Sequence, residues 1–204
     1  MEIPQDVPQV PQDEPQAAGD VPLCVDLDGT VVYGDMSLRS LTAYLRKNPL
    51  GLIMAGIWHL RGRAFVKYML SRRYTFDPSA LPYIPETLEF LRQEKARGRK
   101  IYLCTGSCTP VAMKISRHLG LFDGIMGTKI RKNFIGEVKC RELVRRFGEE
   151  GFDYAGNSRQ DLKVWRHSRR IIIVNASPST EAAARREFAG REIIRLTGTE
   201  KILK

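Results

Sequence analysis

Two aspartates separated by one residue follow a short apolar run near the start of the chain. The run "LCV" leads into Asp26 and Asp28, and a Gly-Thr pair comes directly after them. Two carboxylates this close repel each other, so a nearby cation is expected to offset the repulsion. Carboxylate oxygens are ligands that Mg²⁺ prefers, and one carboxylate can attack phosphorus while the other carries a proton. The spacing therefore indicates metal-assisted phosphoryl transfer.

Further polar residues follow other apolar runs of the chain. Thr105 ends the run "KIYLCT" and Gly106 follows it, Asn157 and Asp161 follow "FDYAG", and Lys139 lies early in a predicted helix. In an open parallel sheet, the carboxyl ends of the strands form one ligand-binding crevice. We expect Lys139 to stabilise the carboxylates and the transferring phosphoryl group, while Thr105, Gly106 and nearby N–H groups hold phosphate oxygens.

These residues also have simpler interpretations. The two aspartates could cap a helix after the strand, and Thr105 could be an ordinary N-cap. Lys129 and Lys132 are alternatives to Lys139. A cation early in a helix gains nothing from the helix dipole, which favours a special role for Lys139.

The segments that must position these residues alternate between strand and helix. Short apolar runs predict five strands, at "LCVDL", "KIYLCT", "DGIMGT", "FDYAG" and "RIIIVNA". Amphipathic segments predict helices at "IPETLEFLRQEKARG", "TPVAMKISRHLG", "KCRELVRRFGEEG" and "STEAAARREFAG". The alternation predicts an α/β fold with a Rossmann-like parallel sheet and helices on both faces.

The interval between the first two predicted strands has no strand pattern. It contains the amphipathic "SLRSLTAYLRKN" and then "PLGLIMAGIWHLRGRAFVKYML", which begins apolar and becomes basic. We predict a small all-helical cap inserted after the first strand, over residues 36–81. The core domain then comprises residues 21–35 and 82–204, and the Pro/Gln-rich residues 1–20 are predicted to be a disordered tail.

The charge is unevenly distributed along the 204 residues. The net charge is +10, but residues 1–22 carry five acidic and no basic residues, so the remainder is +15. A segment with this positive charge is expected to bind anionic partners, which are phosphorylated substrates, anionic membrane or nucleic acid. The arginines are scattered and no nucleic-acid motif is recognised, so nucleic acid is not expected.

The apolar stretch "PLGLIMAGIWHL" of the cap has two interpretations. It forms the core of the cap, or it lies on anionic lipid together with the basic residues that follow; it is too short to span a bilayer, which takes about 20 residues. The acidic N-terminus shows no signal peptide, and we interpret the four cysteines as reduced thiols. We therefore expect a cytoplasmic protein, with peripheral membrane association as the alternative.

Four motifs of the chain resemble, in order, those of the haloacid dehalogenase superfamily. They are "DLDGT", "LCTGS", "GEVK" and "AGNSRQD". The resemblance implies that Asp26 is the nucleophile, that Asp28 is the general acid/base and that the carbonyl of Asp28 is a ligand of Mg²⁺. Many members have Gly-Asp in the fourth motif where this chain has Gly156-Asn157. An amide oxygen adds no charge, so weaker metal affinity is expected unless Asp161 compensates.

A second resemblance is to the domain of this superfamily found ahead of some bacterial UbiA-type prenyltransferases. It is carried by "PLCVDLDGT", "RKNP", "LRGRA", "LPY", "GLFD" and "FDYAGNSRQDLKVWR". No transmembrane helices follow, so prenyltransferase activity is not expected. We predict a Mg²⁺-dependent phosphomonoester hydrolase, acting on a small phosphorylated substrate that could carry a prenyl or other lipid tail. The alternative is a weakly catalytic partner of a membrane enzyme such as a prenyltransferase.

Overall fold

The computed structural model describes residues 21–48 and 50–196, so the predicted disordered tail lies outside the described residues. The strands are β1 (Leu23–Val25), β2 (Ile101–Cys108), β3 (Gly124–Thr128), β4 (Asp153–Gly156), β5 (Ile171–Val174) and β6 (Ile193–Leu196). The helices are α1 (Met36–Lys47), α2 (Gly51–His59), α3 (Arg63–Ser71), α4 (Pro85–Ala96), α5 (Thr109–Leu119), α6 (Gly136–Phe147), α7 (Leu162–Trp165) and α8 (Pro178–Glu187). A short 3-10 helix over Pro78–Ala80 precedes α4.

All six strands form one parallel sheet in the order β3-β2-β1-β4-β5-β6. The chain runs outward from β1 to β3 and then returns to continue from β4 on the other side. The strand order thus reverses between β1 and β4, where sheets of this kind bind ligands. The prediction of a parallel α/β sheet is confirmed. The edge strand β6 was not predicted.

Helices cover both faces of the sheet, as predicted. Leu23 and Val25 of β1 face one apolar core and Cys24 faces the other, because successive side chains of a strand point in opposite directions. The first core includes apolar residues of α4 and α5, and the second includes apolar residues of α6, α7 and α8. Burial on both faces explains why the strands are nearly continuous apolar runs.

The interval between β1 and β2 is helical, as predicted for the cap. Where the sequence suggested one continuous apolar-to-basic segment, the structure has two helices, α2 and α3. Gly62 separates them with φ of +96°, a conformation that side-chain-bearing residues rarely adopt. The division of the chain into core and cap at residues 36 and 81 stays a prediction.

Candidate active site

Asp26 and Asp28 lie where β1 ends beside β4. The N–H of Asp26 donates to the carbonyl of Ala155 at 2.9 Å, which extends the pairing of the two strands. The chain then turns sharply at Gly29, whose φ is +76°. A Cβ atom on Gly29 would overlap the carboxamide of Asn157. Glycine is therefore required both by the turn and by the close approach of the loop after β4.

The carboxylate of Asp28 is held by two elements, α1 and β2. Its Oδ1 accepts a 2.7 Å hydrogen bond from the N–H of Met36, at the start of α1. Its Oδ2 accepts from the hydroxyl of Ser107 at 2.7 Å and lies 3.5 Å from that of Thr105. Burial raises the pKa of Asp28, although the donors on Met36 and Ser107 lower it. A carboxyl group with a raised pKa suits proton transfer near neutral pH.

The predicted phosphate-binding residues occupy different positions. Thr105 is completely buried, and its hydroxyl oxygen accepts a 2.9 Å hydrogen bond from the N–H of Ser107, so it shapes the loop. Gly106 lines the cleft, where a Cβ atom would come within 2.6 Å of Ile135. Phosphate binding by Thr105 and Gly106 stays a prediction. Ser107 also lies at the end of strand β2, within "LCTGS", but the sequence did not give it a role.

Lys139 lies against Asp26, as predicted. Its Nζ donates to Oδ1 of Asp26 at 3.0 Å, and both residues are buried. Burial lowers the pKa of Lys139, but the carboxylates of Asp26 and Asp161 outweigh it, so the pKa is raised and the group stays charged. The alternative Lys132 instead pairs with Glu142 at 2.7 Å.

The pKa of Asp26 is raised to about 7. Burial is the main cause, because it disfavours the charged form of the carboxylate. The ammonium of Lys139 lowers the pKa, while the carboxylates of Asp161 and Asp28 raise it. The ionised form of Asp26 would thus benefit from a further cation in the cleft.

Tyr154 connects Lys139 to Asp161 and was not predicted as a site residue. Its hydroxyl accepts from Nζ of Lys139 at 2.8 Å and donates to Oδ1 of Asp161 at 2.9 Å. Burial raises the pKa of Tyr154 well above its ordinary value, and the carboxylates of Asp161 and Asp26 raise it further. Tyr154 therefore presents a neutral hydroxyl that accepts from Lys139 and donates to Asp161, and so holds both side chains. The sequence offered no signal beyond its place in a strand.

Asp161 shapes the loop that follows β4. Its Oδ2 accepts from the N–H groups of Asn157 and Ser158 at 3.1 and 2.9 Å, and from the Ser158 hydroxyl at 2.8 Å. A Cβ atom at Gly156 would come within 2.7 Å of Cγ of Asp161, so this loop also requires glycine. Because both carboxylate oxygens have protein partners, the contacts favour a positioning role. Metal binding by Asp161 stays a prediction.

A cleft of about 590 Å³ is lined by Asp26, Asp28, Lys139, Asn157 and Asp161, and it is large enough for a small organic ligand. Among the described residues, no group of three or more His, Cys, Asp or Glu side chains is placed to hold a metal. Mg²⁺ accepts fewer protein ligands when water and substrate phosphate complete its shell. The carboxylate of Asp26, the carbonyl of Asp28 and the carboxamide of Asn157 supply oxygen donors of the right kind. The donor set fits Mg²⁺.

Lys67 of the cap also reaches the cleft. Its Nζ donates to the carbonyl of Gly106 at 2.8 Å and lies 3.4 Å from Oδ1 of Asn133. Burial lowers the pKa of Lys67, while the carboxylates of Asp35 and Asp28 oppose that change. The sequence analysis did not select Lys67, because no motif marks it among the other basic residues of the cap.

Residues 52–166, more than half of the chain, match the haloacid dehalogenase-like hydrolase family. The "DLDGT" motif lies ahead of the matched residues. A curated relative, the uncharacterized protein y4nM of Sinorhizobium fredii (strain NBRC 101917 / NGR234), is 32% identical over 173 residues. The match covers 85% of this chain and 33% of the relative, so the chain spans about a third of that protein's length.

Two solved structures share the fold. A protein of unknown function from Bordetella pertussis Tohama I has a TM-score of 0.62 and 17% identity, over 85% of this chain and 97% of that chain. The apo form of a phosphoserine phosphatase has a TM-score of 0.58 and 13% identity, over 87% and 94% of the two chains. With the family match, this shared fold leads to one conclusion: the chain belongs to the haloacid dehalogenase-like hydrolase family.

Proposed function

We propose that the protein is a Mg²⁺-dependent phosphomonoester hydrolase that forms an aspartyl-phosphate on Asp26. One observation carries the proposal. Asp26 lies at the strand-order reversal with Oδ1 bound to Lys139, and no hydrogen bond within the described residues engages its Oδ2. That oxygen is therefore available to attack phosphorus. The phosphoserine phosphatase that shares the fold supports the same class of reaction.

The residues divide the reaction into two steps. In the first, Oδ2 of Asp26 attacks phosphorus, the ester P–O bond breaks, and Asp28 gives its proton to the departing oxygen. In the second, Asp28 takes a proton from water, whose oxygen attacks phosphorus and releases phosphate from Asp26. Lys139 stabilises the negative charge beside Asp26 throughout. Mg²⁺, when bound, neutralises charge on the carboxylates and on the phosphoryl oxygens.

Asp28 is prepared for its role by its own contacts. The N–H of Met36 and the hydroxyl of Ser107 hold its two oxygens at 2.7 Å each. The contact with Met36 also couples the proton carrier to the first helix of the cap, so a movement of α1 would disturb Asp28. We infer that cap and core must be in contact when the proton is transferred.

The substrate class that we propose is a phosphorylated compound with a hydrophobic tail, such as a prenyl or lipid-linked phosphate. The lining of the cleft supports it, because Lys67 offers a cation while Ile135 and the 58% exposed Leu38 offer apolar surface. A screen of prenyl phosphates, sugar phosphates, nucleotides and phosphoamino acids tests this part. Equal kcat/KM for tailed and untailed substrates would contradict it.

The reaction is tested by phosphate release from p-nitrophenyl phosphate with Mg²⁺ or with a chelator. We expect Asp26→Asn to lower kcat by at least about a thousandfold, because the nucleophile is lost. The matched control is Asp77→Asn, which changes an exposed aspartate that caps the 3-10 helix. The proposal fails if Asp26→Asn and the wild type release phosphate at equal rates.

A second candidate is a weakly catalytic partner of a membrane enzyme. Asn157 favours it, because an amide in place of a carboxylate adds no charge to the proposed metal site. Asn157→Asp distinguishes the two functions. A large gain in Mg²⁺-dependent turnover from a very low wild-type rate would support the partner role, whereas substantial wild-type turnover would support the hydrolase.

A further inference from the structure

Helix α2 is apolar on both of its sides. Gly51, Ala55 and Trp58, spaced four and three residues apart, form the side that is buried in the cap. The other side and the ends of the helix carry large apolar side chains that are 41–86% exposed: Leu50, Leu52, Ile53, Met54, Ile57 and Leu60. Among the described residues only Leu38 and Ile130 are also large, apolar and exposed. The exposed apolar surface is therefore concentrated on one helix.

This concentration differs from the scattered apolar residues of an ordinary surface. A helix that is apolar all round is normally covered on all sides. The nine residues of α2 are too few to cross a bilayer, and none of the helices in residues 21–48 and 50–196 has the length and apolar character that crossing requires. The outer side of α2 is suited instead to lie along an apolar boundary.

The charge around α2 indicates what lies at that boundary. Residues 36–76 contain eight Lys and Arg and no Asp or Glu. Exposed basic residues come just before α2, just after it and at the end of α3: Arg46, Lys47, Arg61, Arg63, Arg72 and Arg73. A second copy of the chain would bring two such positive surfaces together. An anionic partner is favoured over self-association for that reason.

We propose that the α2 face, defined as the six exposed apolar residues of 50–60 with the flanking arginines and lysine, docks on anionic lipid bilayers. The apolar side chains would enter the boundary between headgroups and acyl chains, while the basic residues meet headgroup phosphates. An anionic bilayer matches both the apolar and the basic side chains of this face. A nucleic acid would match only the basic residues, and a neutral bilayer would match only the apolar ones. The docking does not depend on hydrolysis.

Vesicle flotation of the full chain tests the proposal. We expect recovery with phosphatidylcholine vesicles that contain phosphatidylglycerol at low salt, and much less recovery with pure phosphatidylcholine or at high salt. Ile53→Ser combined with Ile57→Ser should lower the partition coefficient at least about tenfold. These side chains are 64% and 52% exposed, so the variant should fold normally, which circular dichroism checks.

Two controls separate the α2 face from other causes. Ile130→Ser removes an apolar side chain that is 41% exposed outside the cap and should leave flotation unchanged. Asp26→Asn should also float like the wild type, so a failure of the hydrolase proposal would leave this result intact. Arg46→Gln combined with Lys47→Gln should weaken binding to anionic vesicles only.

Three results would overturn the proposal. The first is no recovery of the wild type with anionic vesicles. The second is equal flotation of the wild type and the Ile53→Ser/Ile57→Ser variant. The third is a dimer in sedimentation equilibrium that this variant abolishes, since a second copy of the chain would then be the occupant of the α2 face.

Discussion

Replacing Tyr154 by phenylalanine should destabilise the fold and slow hydrolysis together. The change removes one oxygen atom and leaves the ring in the core. That oxygen accepts from Lys139 at 2.8 Å and donates to Asp161 at 2.9 Å, and both partners are at least 95% buried in the fold. Neither partner has free access to water with which to replace the lost hydrogen bond.

The magnitude follows from the two charged partners of Tyr154. A hydrogen bond to a charged group contributes about 1.5–3 kcal/mol, so losing two costs about 3–6 kcal/mol. Nζ of Lys139 lies 3.8 Å from Oδ1 of Asp161. A small movement would bring these atoms into hydrogen-bonding contact and offset part of one loss. We expect the free energy of unfolding to fall by about 2–4 kcal/mol.

Urea unfolding measures this change, with the slope m unaltered because the same surface becomes exposed. The matched control is Tyr102→Phe on β2, whose hydroxyl has no hydrogen bond within the described residues and whose ring packs against Phe147. That variant should stay within about 0.5 kcal/mol of the wild type. Since Lys139 loses one of the groups that orient it, Tyr154→Phe should also lower kcat/KM about tenfold.

The result that would refute the reasoning is a Tyr154→Phe variant as stable as the Tyr102→Phe control. Lys139 and Asp161 would then be satisfied by other means, and Tyr154 would be a packing residue. A variant that is destabilised but fully active would refute the positioning role alone. The prediction holds only if Tyr154→Phe lowers both the free energy of unfolding and kcat/KM.

Three further changes have expected outcomes. Lys67→Met should raise KM for p-nitrophenyl phosphate about tenfold or more, because a cation is removed from the cleft. The control Lys47→Met, which removes a cation from the surface, should leave KM unchanged. An unchanged KM in Lys67→Met would exclude Lys67 from substrate binding. Gly29→Ala should lower the free energy of unfolding by about 1–2 kcal/mol, measured by thermal unfolding, because φ is +76°. It should also impair Mg²⁺-dependent turnover of p-nitrophenyl phosphate, because the new Cβ displaces Asn157. A fully active Gly29→Ala variant would contradict the predicted loss of activity. Asp153→Asn should cost about 3–5 kcal/mol in urea unfolding at pH 7, because two arginines lose their buried partner. Burial alone would raise the pKa of Asp153, but the two arginines outweigh burial and hold the pKa below its ordinary 3.8. The stabilisation that Asp153 provides is therefore present above pH 3.8 and declines as the pH falls below it. The wild type and Asp153→Asn should converge in stability in acid, and a constant difference between them would contradict this.

The sequence by itself was sufficient to predict the layered α/β fold. Each of the five predicted strands is a short apolar run, because a parallel strand is buried on both faces and needs no polar alternation. Strand β6 was missed because Ile193–Leu196 lies at the edge, half-buried, and includes an exposed arginine. Its pairing with β5, which only the tertiary structure supplies, makes it a strand.

The sequence also identified the residues that lie at the ends of elements. Asp26, Asp28 and Lys139 could be selected because a strand end and a helix start can be read from neighbouring residues. Their convergence followed from the general rule for parallel sheets. What the rule does not supply is which oxygen of Asp28 meets which donor.

Only the tertiary structure placed Lys67 and Tyr154 in the site, and only it showed that Ser107 donates to Asp28. Lys67 meets the carbonyl of Gly106, 39 residues away in sequence, because α3 packs over the end of β2. Tyr154 faces Lys139 because of the register between β4 and its neighbours and the position of α6. Periodicity reports which residues share a face of one element. Contacts between elements depend on strand register and on how side chains pack in three dimensions, so they are not visible in the periodicity of one segment.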